Sequence, residues 1–258
     1  MAYNQPILTR LTGVVIVDFD NVFKTPVSHD KTQMIELELK EFLGELLSEN
    51  NALEEVNIRL YGGWYHGDKL TNKASVLQQV ISNVNIFPYI DNLKKRKIQG
   101  TVELVYSLFF VPSLIWKNTY KEKDGIKSIR INQNSLTNTC SSNSSICPPK
   151  IIAKFTRKKR KVCSVTNCNT IQENVFKGME QKMVDTMMAC DIMSYADEEQ
   201  VKSIVVVSDD TDILPSLVVS KQKNNTNCSF TLIIKNNRIK DNCNYYLSPF
   251  DIPVKILS

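Results

Sequence analysis

Histidine is nearly absent from this chain: His29 and His66 are the only two in 258 residues. Histidine-rich metal sites and histidine-based nucleophile triads are therefore poorly supported. No glycine-rich phosphate loop is present. No apolar run reaches the ~20 residues that cross a bilayer. The longest candidate, 102–115, is interrupted by Glu103, Ser107, Pro112 and Ser113. The opening residues, Met1-Ala-Tyr-Asn-Gln-Pro, lack the basic-then-apolar layout of a signal peptide. A cytoplasmic protein with no membrane partner is expected. The seven cysteines are an odd number, which argues against a disulfide framework.

What is present fits a globular chain. Hydrophobic residues make up 42% and charged residues 23%, which excludes a disordered or collagen-like protein and is enough for a sizeable core. The net charge is only +5, but the basic residues cluster. Lys94, Lys95, Arg96 and Lys97 form one run, and Arg157, Lys158, Lys159, Arg160 and Lys161 form another. Such runs attract phosphate backbones; each alone is equally a solvated face.

Along the chain, Gly-Val-Val-Ile-Val-Asp at 13–18 reads as a buried parallel strand that delivers a carboxylate at its C-terminal end. Residues 32–49 carry apolar positions at helical spacing. Strands are expected at 56–61, 203–207, 230–234 and 254–257, with a short one at 85–89. Helices are expected at 69–83, 175–195 and 212–221. Residues 98–111 read as a long strand or a strand pair. Ten of the eighteen residues at 133–150 are Ser, Thr or Asn, which predicts an exposed loop, and 151–162 then reads as a basic strand or hairpin arm. The alternation of strand and helix predicts an α/β fold with a mostly parallel sheet. Residues 113–170 read as an insertion within a single domain spanning 1–258.

Three places combine an apolar scaffold with carboxylates: Asp18 and Asp20 after the first strand, Asp185 and Asp191 in the late helix, and Asp209, Asp210 and Asp212 after the 203–207 strand. Parallel strands end at one edge, where open α/β sheets bind ligands. Converging carboxylates repel one another, and a divalent cation resolves the repulsion. Mg²⁺ or Mn²⁺ there suits in-line displacement at phosphorus. Asp191 lies six residues beyond Asp185, turned by about 240° and shifted by ~9 Å, so the two do not share a helix face. Asp185 is placed in the site, and Asp191 at its margin or in a structural role.

Four ordered segments carry a family likeness: Val15-Ile16-Val17-Asp18-Phe19-Asp20-Asn21, Arg59-Leu60-Tyr61-Gly62-Gly63-Trp64, Lys182-Met183-Val184-Asp185 with Asp191 beyond it, and Ser208-Asp209-Asp210-Thr211-Asp212. The chain resembles a NYN domain, a branch of the PIN-like ribonucleases. The likeness covers ~13–90 and ~172–235. It implies a three-layer α/β/α PIN-like fold, here with an inserted basic segment containing cysteines. It also implies metal-dependent RNA cleavage with Mg²⁺ or Mn²⁺ held by Asp18, Asp185, Asp210 and Asp212. Asn21 would position the first Asp or a substrate phosphate, and Ser208 would support the loop. The likeness further implies a homodimer, and RNA as the partner, with DNA and a regulatory protein left open. Two positions depart from the pattern. Met183 stands where the family often has Gly, which matters little in a regular helix. Asp209 also stands where Gly is common, adding an acid that is either a ligand or turned away.

Two other readings compete. Asp18-Phe19-Asp20 followed by Asn21-Val22 resembles the opening motif of haloacid dehalogenase-like phosphatases, with Asp18 as nucleophile and Asp20 as acid/base. That reading leaves 182–185 and 61–64 unexplained. The third class is a non-catalytic RNA-binding module. Separately, Cys140, Cys147, Cys163 and Cys168 form two pairs that suit structural Zn²⁺, at looser spacings than a standard knuckle. Trp64 and Tyr65 suit base stacking or core packing.

Overall fold

All six residues of the first strand are buried, as a β-branched run covered on both faces requires. The computed structural model describes residues 13–23, 27–49, 54–124, 146–156, 162–163, 165–223 and 228–257. The chain opens with β1 (Gly13–Asp18), α1 (Phe19–Val22), α2 (Thr32–Glu49) and β2 (Glu55–Tyr61). The hairpin β3 (Tyr65–His66) and β4 (Lys69–Leu70) follows, then α3 (Asn72–Asn83), β5 (Tyr89–Asp91) and β6 (Arg96–Leu104). Next come β7 (Tyr120–Asp124), α4 (Pro148–Thr156), α5 (Gln172–Val175) and β8 (Lys177–Gln181). The last part holds α6 (Val184–Ala196), β9 (Ser203–Val207), α7 (Leu214–Lys223), β10 (Ser229–Ile234), α8 (Lys240–Leu247) and β11 (Val254–Ile256). Among the described residues, no helix is long and apolar enough to cross a membrane.

The chain divides into two compact units. One takes the chain up to Tyr120 and again from Gln181, and the other is Lys121–Glu180. The first unit holds a seven-stranded sheet in the order β11-β10-β9-β1-β2-β6-β5. Every neighbouring pair is parallel except β5 and β6. The alternation of side chains along each strand sends one set to each face. Val15, Val17, Ile58 and Leu60 pack with Leu39, Leu43, Leu46, Leu77 and Val80 of α2 and α3. Val14, Ile16, Ile204 and Val206 pack with Met187, Met188, Ile192, Leu217 and Leu247 of α6, α7 and α8. The fold is thus α/β, with a mostly parallel sheet and helices on both faces. In the second unit β7 pairs with β8, and an antiparallel bridge joins Val162 to Ile171.

Several elements differ from the sequence expectation. The basic arm expected at 151–162 begins as the helix α4 instead. Pro148 and Pro149 open it, where missing N–H groups cost nothing, and Ala153 and Thr156 are buried one helical turn apart. The helix expected at 175–195 is split into β8 and α6. Met183, between them, has a φ of 64°. This left-handed conformation explains why glycine suits the position, and corrects the view that a regular helix makes its identity unimportant. The helix expected at 69–83 starts only at Asn72, after the β3–β4 hairpin, with the Thr71 side chain accepting the Ala74 N–H at 3.2 Å.

A testable consequence concerns Met183. A left-handed residue with a Cβ costs ~1–2 kcal/mol, and glycine there would cost ~0.5–1 in backbone entropy. The Met183→Gly variant is expected to gain about 0.5–1 kcal/mol in urea unfolding, with unchanged cooperativity. A loss of stability would mean that the Met183 side chain packs favourably enough to outweigh its backbone strain.

Candidate active site

The parallel register brings the C-terminal ends of β1, β2, β6, β9 and β10 to one sheet edge. Asp18 is the last residue of β1 and lies level with Tyr61 of β2, and Val17 pairs with Val207. Asp18 is almost fully buried. Its Oδ2 accepts hydrogen bonds from Asn21 Nδ2 at 2.6 Å and Ser208 Oγ at 3.0 Å, and its Oδ1 accepts the Asn21 N–H at 3.3 Å. Asn21 therefore holds Asp18, the first of its two expected roles.

Ser208 extends the chain of contacts. Its Oγ accepts the Asp210 N–H at 3.0 Å, and Asp210 Oδ1 accepts the Asp212 N–H at 2.9 Å. These bonds fold the loop after β9 so that Asp210 and Asp212 follow Asp18 around the edge. Asp185 enters from the first turn of α6, where the helix dipole favours a carboxylate. Partial desolvation of this otherwise exposed carboxylate raises its pKa, and repulsion from Asp18, Asp210 and Asp212 raises it further. Burial likewise pushes Asp18 up, against its Asn21 and Ser208 hydrogen bonds. The structure thus brings together the four carboxylates expected from the sequence.

The neighbouring acids have other work. Asp209 turns away from the cluster, and its Oδ1 accepts the backbone N–H groups of Lys235 at 2.8 Å and Asn236 at 2.9 Å. It fastens the segment after β10. Asp20 accepts the Gly63 N–H at 3.0 Å through Oδ2 and pairs with Lys73 through Oδ1. A Cβ on Gly62 would lie 2.7 Å from the Trp64 ring, so only glycine lets the chain pass this indole. Trp64 is buried in the core, leaving no exposed face for a base.

Asp191 is fully buried and occupied elsewhere. Its Oδ2 accepts bonds from Arg59 Nη2 at 3.1 Å and Tyr61 Oη at 2.5 Å, and its Oδ1 accepts the Phe109 N–H at 2.8 Å. Burial pushes the Asp191 carboxyl up, while Arg59 and these donors pull it down. Arg59 also meets Glu103 at 2.5 Å and the Ser107 carbonyl at 3.2 Å. This network ties α6 to β2, β6 and the chain beyond β6. Arg59 stood in the sequence only as the first residue of the 59–64 segment. Its signal was a charge inside an otherwise apolar strand, which requires a buried partner. Nothing comparable marked Lys73.

The basic runs fall elsewhere. Lys94, Lys95, Arg96 and Lys97 lie where β6 begins, at the sheet edge opposite the carboxylates. Eight residue steps of β6 separate the two edges, about 26 Å. Arg96 bonds Asp91 at 3.2 Å and the Leu47 carbonyl, and the Lys94 ammonium reaches the Ser48 carbonyl. The run fastens the β5–β6 turn to the end of α2 and is not brought to the site. Arg157, Lys158, Lys159, Arg160 and Lys161 lie outside the described residues, as does Cys140. Of the remaining cysteines, Cys147 is buried, and Cys163 and Cys168 are half-buried. Cys168 Sγ–H donates to Thr170 Oγ1 at 3.2 Å.

The four carboxylates offer hard oxygen donors, and the charges of Asp18, Asp210 and Asp212 each raise the pKa of Asp185. The Asp185 and Asp212 side chains accept no hydrogen bond among the described residues. This donor set fits Mg²⁺ or Mn²⁺. Among the described residues, no three His, Cys, Asp or Glu side chains close around one point.

No family model, curated protein or solved structure matches the chain. What the site can do follows from its own chemistry.

The raised pKa of Asp185 has a signed consequence. In metal-free protein its neutral form is favoured by folding. That stabilisation is complete below the ordinary value of 3.8 and is lost as pH rises through the raised folded value. Asp185→Asn removes the titration. Its melting temperature is expected to match wild type below pH 3.8 and to exceed it increasingly above, in EDTA. A difference independent of pH would contradict the mutual repulsion.

Proposed function

We propose that the chain is a metal-dependent nuclease acting on RNA, as its resemblance to NYN domains implies. One observation carries this reading: Asp18, Asp185, Asp210 and Asp212, from three separate elements, stand at the C-terminal edge of a parallel sheet, close enough that the other three raise the pKa of Asp185. Asp18, Asp185, Asp210 and Asp212 would hold Mg²⁺ or Mn²⁺. The bound ion would supply Lewis acidity toward water and neutralise phosphate charge.

The protein's own residues prepare that site. Asn21 and Ser208 fix both oxygens of Asp18, so its geometry precedes any ligand. Ser208 also sets the position of Asp210 through its N–H. The Asp185 and Asp212 side chains, which accept no hydrogen bond among the described residues, are the carboxylates left to meet water and substrate. Such preorganisation removes reorganisation cost during the reaction.

The phosphatase alternative requires Asp20 as its proton donor, and Asp20 gives its oxygens to Gly63 and Lys73. The geometry therefore favours phosphodiester cleavage. The test is incubation of the purified chain with labelled single-stranded RNA in Mn²⁺, Mg²⁺ or EDTA, beside a phosphate monoester. Cleavage of RNA that requires metal, with the monoester untouched, is expected. Monoester turnover without RNA cleavage would instead establish the phosphatase, and RNA retention without cleavage the binding module.

A further inference from the structure

The edge that holds the carboxylates has a basic and aromatic extension of its own. β10 ends at Ile234, paired with β9 so that Ile233 lies level with Val207. The chain then runs Lys235-Asn-Asn-Arg-Ile-Lys-Asp-Asn-Cys-Asn-Tyr-Tyr to residue 246. Asp209, next to Asp210 of the cluster, grips the first two N–H groups of this segment. The segment is thus fastened one residue away from the proposed metal ligands.

Its side chains point to a ligand. Lys235, Asn236, Asn237 and Arg238 are exposed, and Lys240 is half-buried. Neither Arg238 nor Lys240 forms an ion pair among the described residues. Lys235 lies over the rings of Phe23 and Phe42, at 5.4 and 5.3 Å. Two acids stand beside these cations: Asp241, next to Lys240 in the chain, and Asp209, which holds the Lys235 and Asn236 N–H groups. In α8, Cys243 and Leu247 face the core, which turns Tyr245 and Tyr246 outward. Tyr245 is 75% exposed and Tyr246 51%. Their rings meet edge to face at 5.1 Å and 85°. Large aromatic faces held in solvent beside unpaired cations suit a flexible polyanion with stackable rings.

We infer that Lys235–Tyr246 is the docking surface for a single nucleic-acid strand leading to the carboxylate edge, with Lys235, Arg238 and Lys240 on phosphates and Tyr245 and Tyr246 stacked on bases. The inference rests on the nuclease reading for its direction, but not for its chemistry. It supplies the cationic track that the run at 94–97, on the opposite edge, does not.

The test is fluorescence anisotropy with a 5′-labelled single-stranded RNA, and a DNA of the same sequence, in EDTA so that no cleavage intervenes. All substituted positions lie outside the apolar core. The double variant Arg238→Ala/Lys240→Ala is expected to lower the slope of log affinity against log salt by about 1.4, at ~0.7 per phosphate contact on single strands. Tyr245→Ala/Tyr246→Ala is expected to weaken binding about tenfold or more, and Tyr245→Phe/Tyr246→Phe to restore it. Lys97→Ala, on the far edge, is expected to bind as wild type does. Equal loss toward RNA and DNA supports recognition of phosphates and base faces. A larger loss toward RNA supports added contacts to its 2′-hydroxyls. Affinity and salt slope unchanged in both alanine double variants would overturn the inference, as would a wild type that binds neither strand. Cleavage in Mn²⁺ by variants as active as wild type would leave the nuclease standing and remove this surface. Binding lost in the variants with no cleavage by wild type would do the reverse.

Discussion

Asp191→Ala is expected to cost the fold about 3–5 kcal/mol, a large part of the roughly 5–15 kcal/mol that stabilises a typical domain. The side chain is completely buried, and three donors converge on it: Arg59, Tyr61 and the Phe109 N–H. Removing it leaves the Arg59 guanidinium with Glu103, the Ser107 carbonyl and the Tyr61 hydroxyl as its remaining oxygen partners, and leaves the Tyr61 hydroxyl without its acceptor. The cost comes from uncompensated buried groups rather than from the worth of the ion pair itself. A joint replacement, Arg59→Met with Asp191→Leu, is accordingly expected to be less damaging than Asp191→Ala alone. Urea unfolding measures both. A single-variant loss below 1 kcal/mol would show that water or a side-chain shift satisfies Arg59.

Asp18→Asn is expected to lower RNA cleavage by about 10³-fold, equivalent to about 4 kcal/mol of barrier, without unfolding the protein. The amide has the shape of the carboxylate, and its oxygen can still accept from Asn21 Nδ2 and Ser208 Oγ. It lacks the charge that a divalent cation requires. Because burial raises the Asp18 pKa, the charged form is the strained one, and the variant's melting temperature in EDTA is not expected to fall. Activity retained within tenfold would remove Asp18 from the site. Loss of activity together with loss of fold would show a structural role instead.

The sheet was legible because its strands are nearly pure apolar runs. The segment 13–18 and the segment 203–207 admit no exposed position, so they read as central parallel strands with acids at their ends. Helix α2 was legible over its whole length because eight apolar side chains repeat at helical spacing. Elements that depend on context were not. Helix α8 buries only Cys243 and Leu247, too few to make a pattern among Asn, Lys and Tyr. The break before α6 lies at Met183, a residue with no preference for the left-handed region, so local propensity carried no sign of its φ. Of the site, the carboxylates were visible as strand-end acids. The roles of Asp209 and Asp20 were not, since their partners, Lys235, Asn236, Gly63 and Lys73, are distant in sequence. The run at 94–97 misled because a cluster of like charges carries no information about which end of a strand it occupies.

The four-carboxylate edge is the centre of this account, and Mn²⁺ binding measured by titration calorimetry tests it most directly. Wild type is expected to show saturable Mn²⁺ binding that Asp18→Asn and Asp185→Asn each weaken by tenfold or more, while Asp20→Asn, outside the cluster, leaves it in place. Binding that is absent from the wild type, or equally strong in the Asp18 and Asp185 variants, would contradict the assignment of these residues as a metal site.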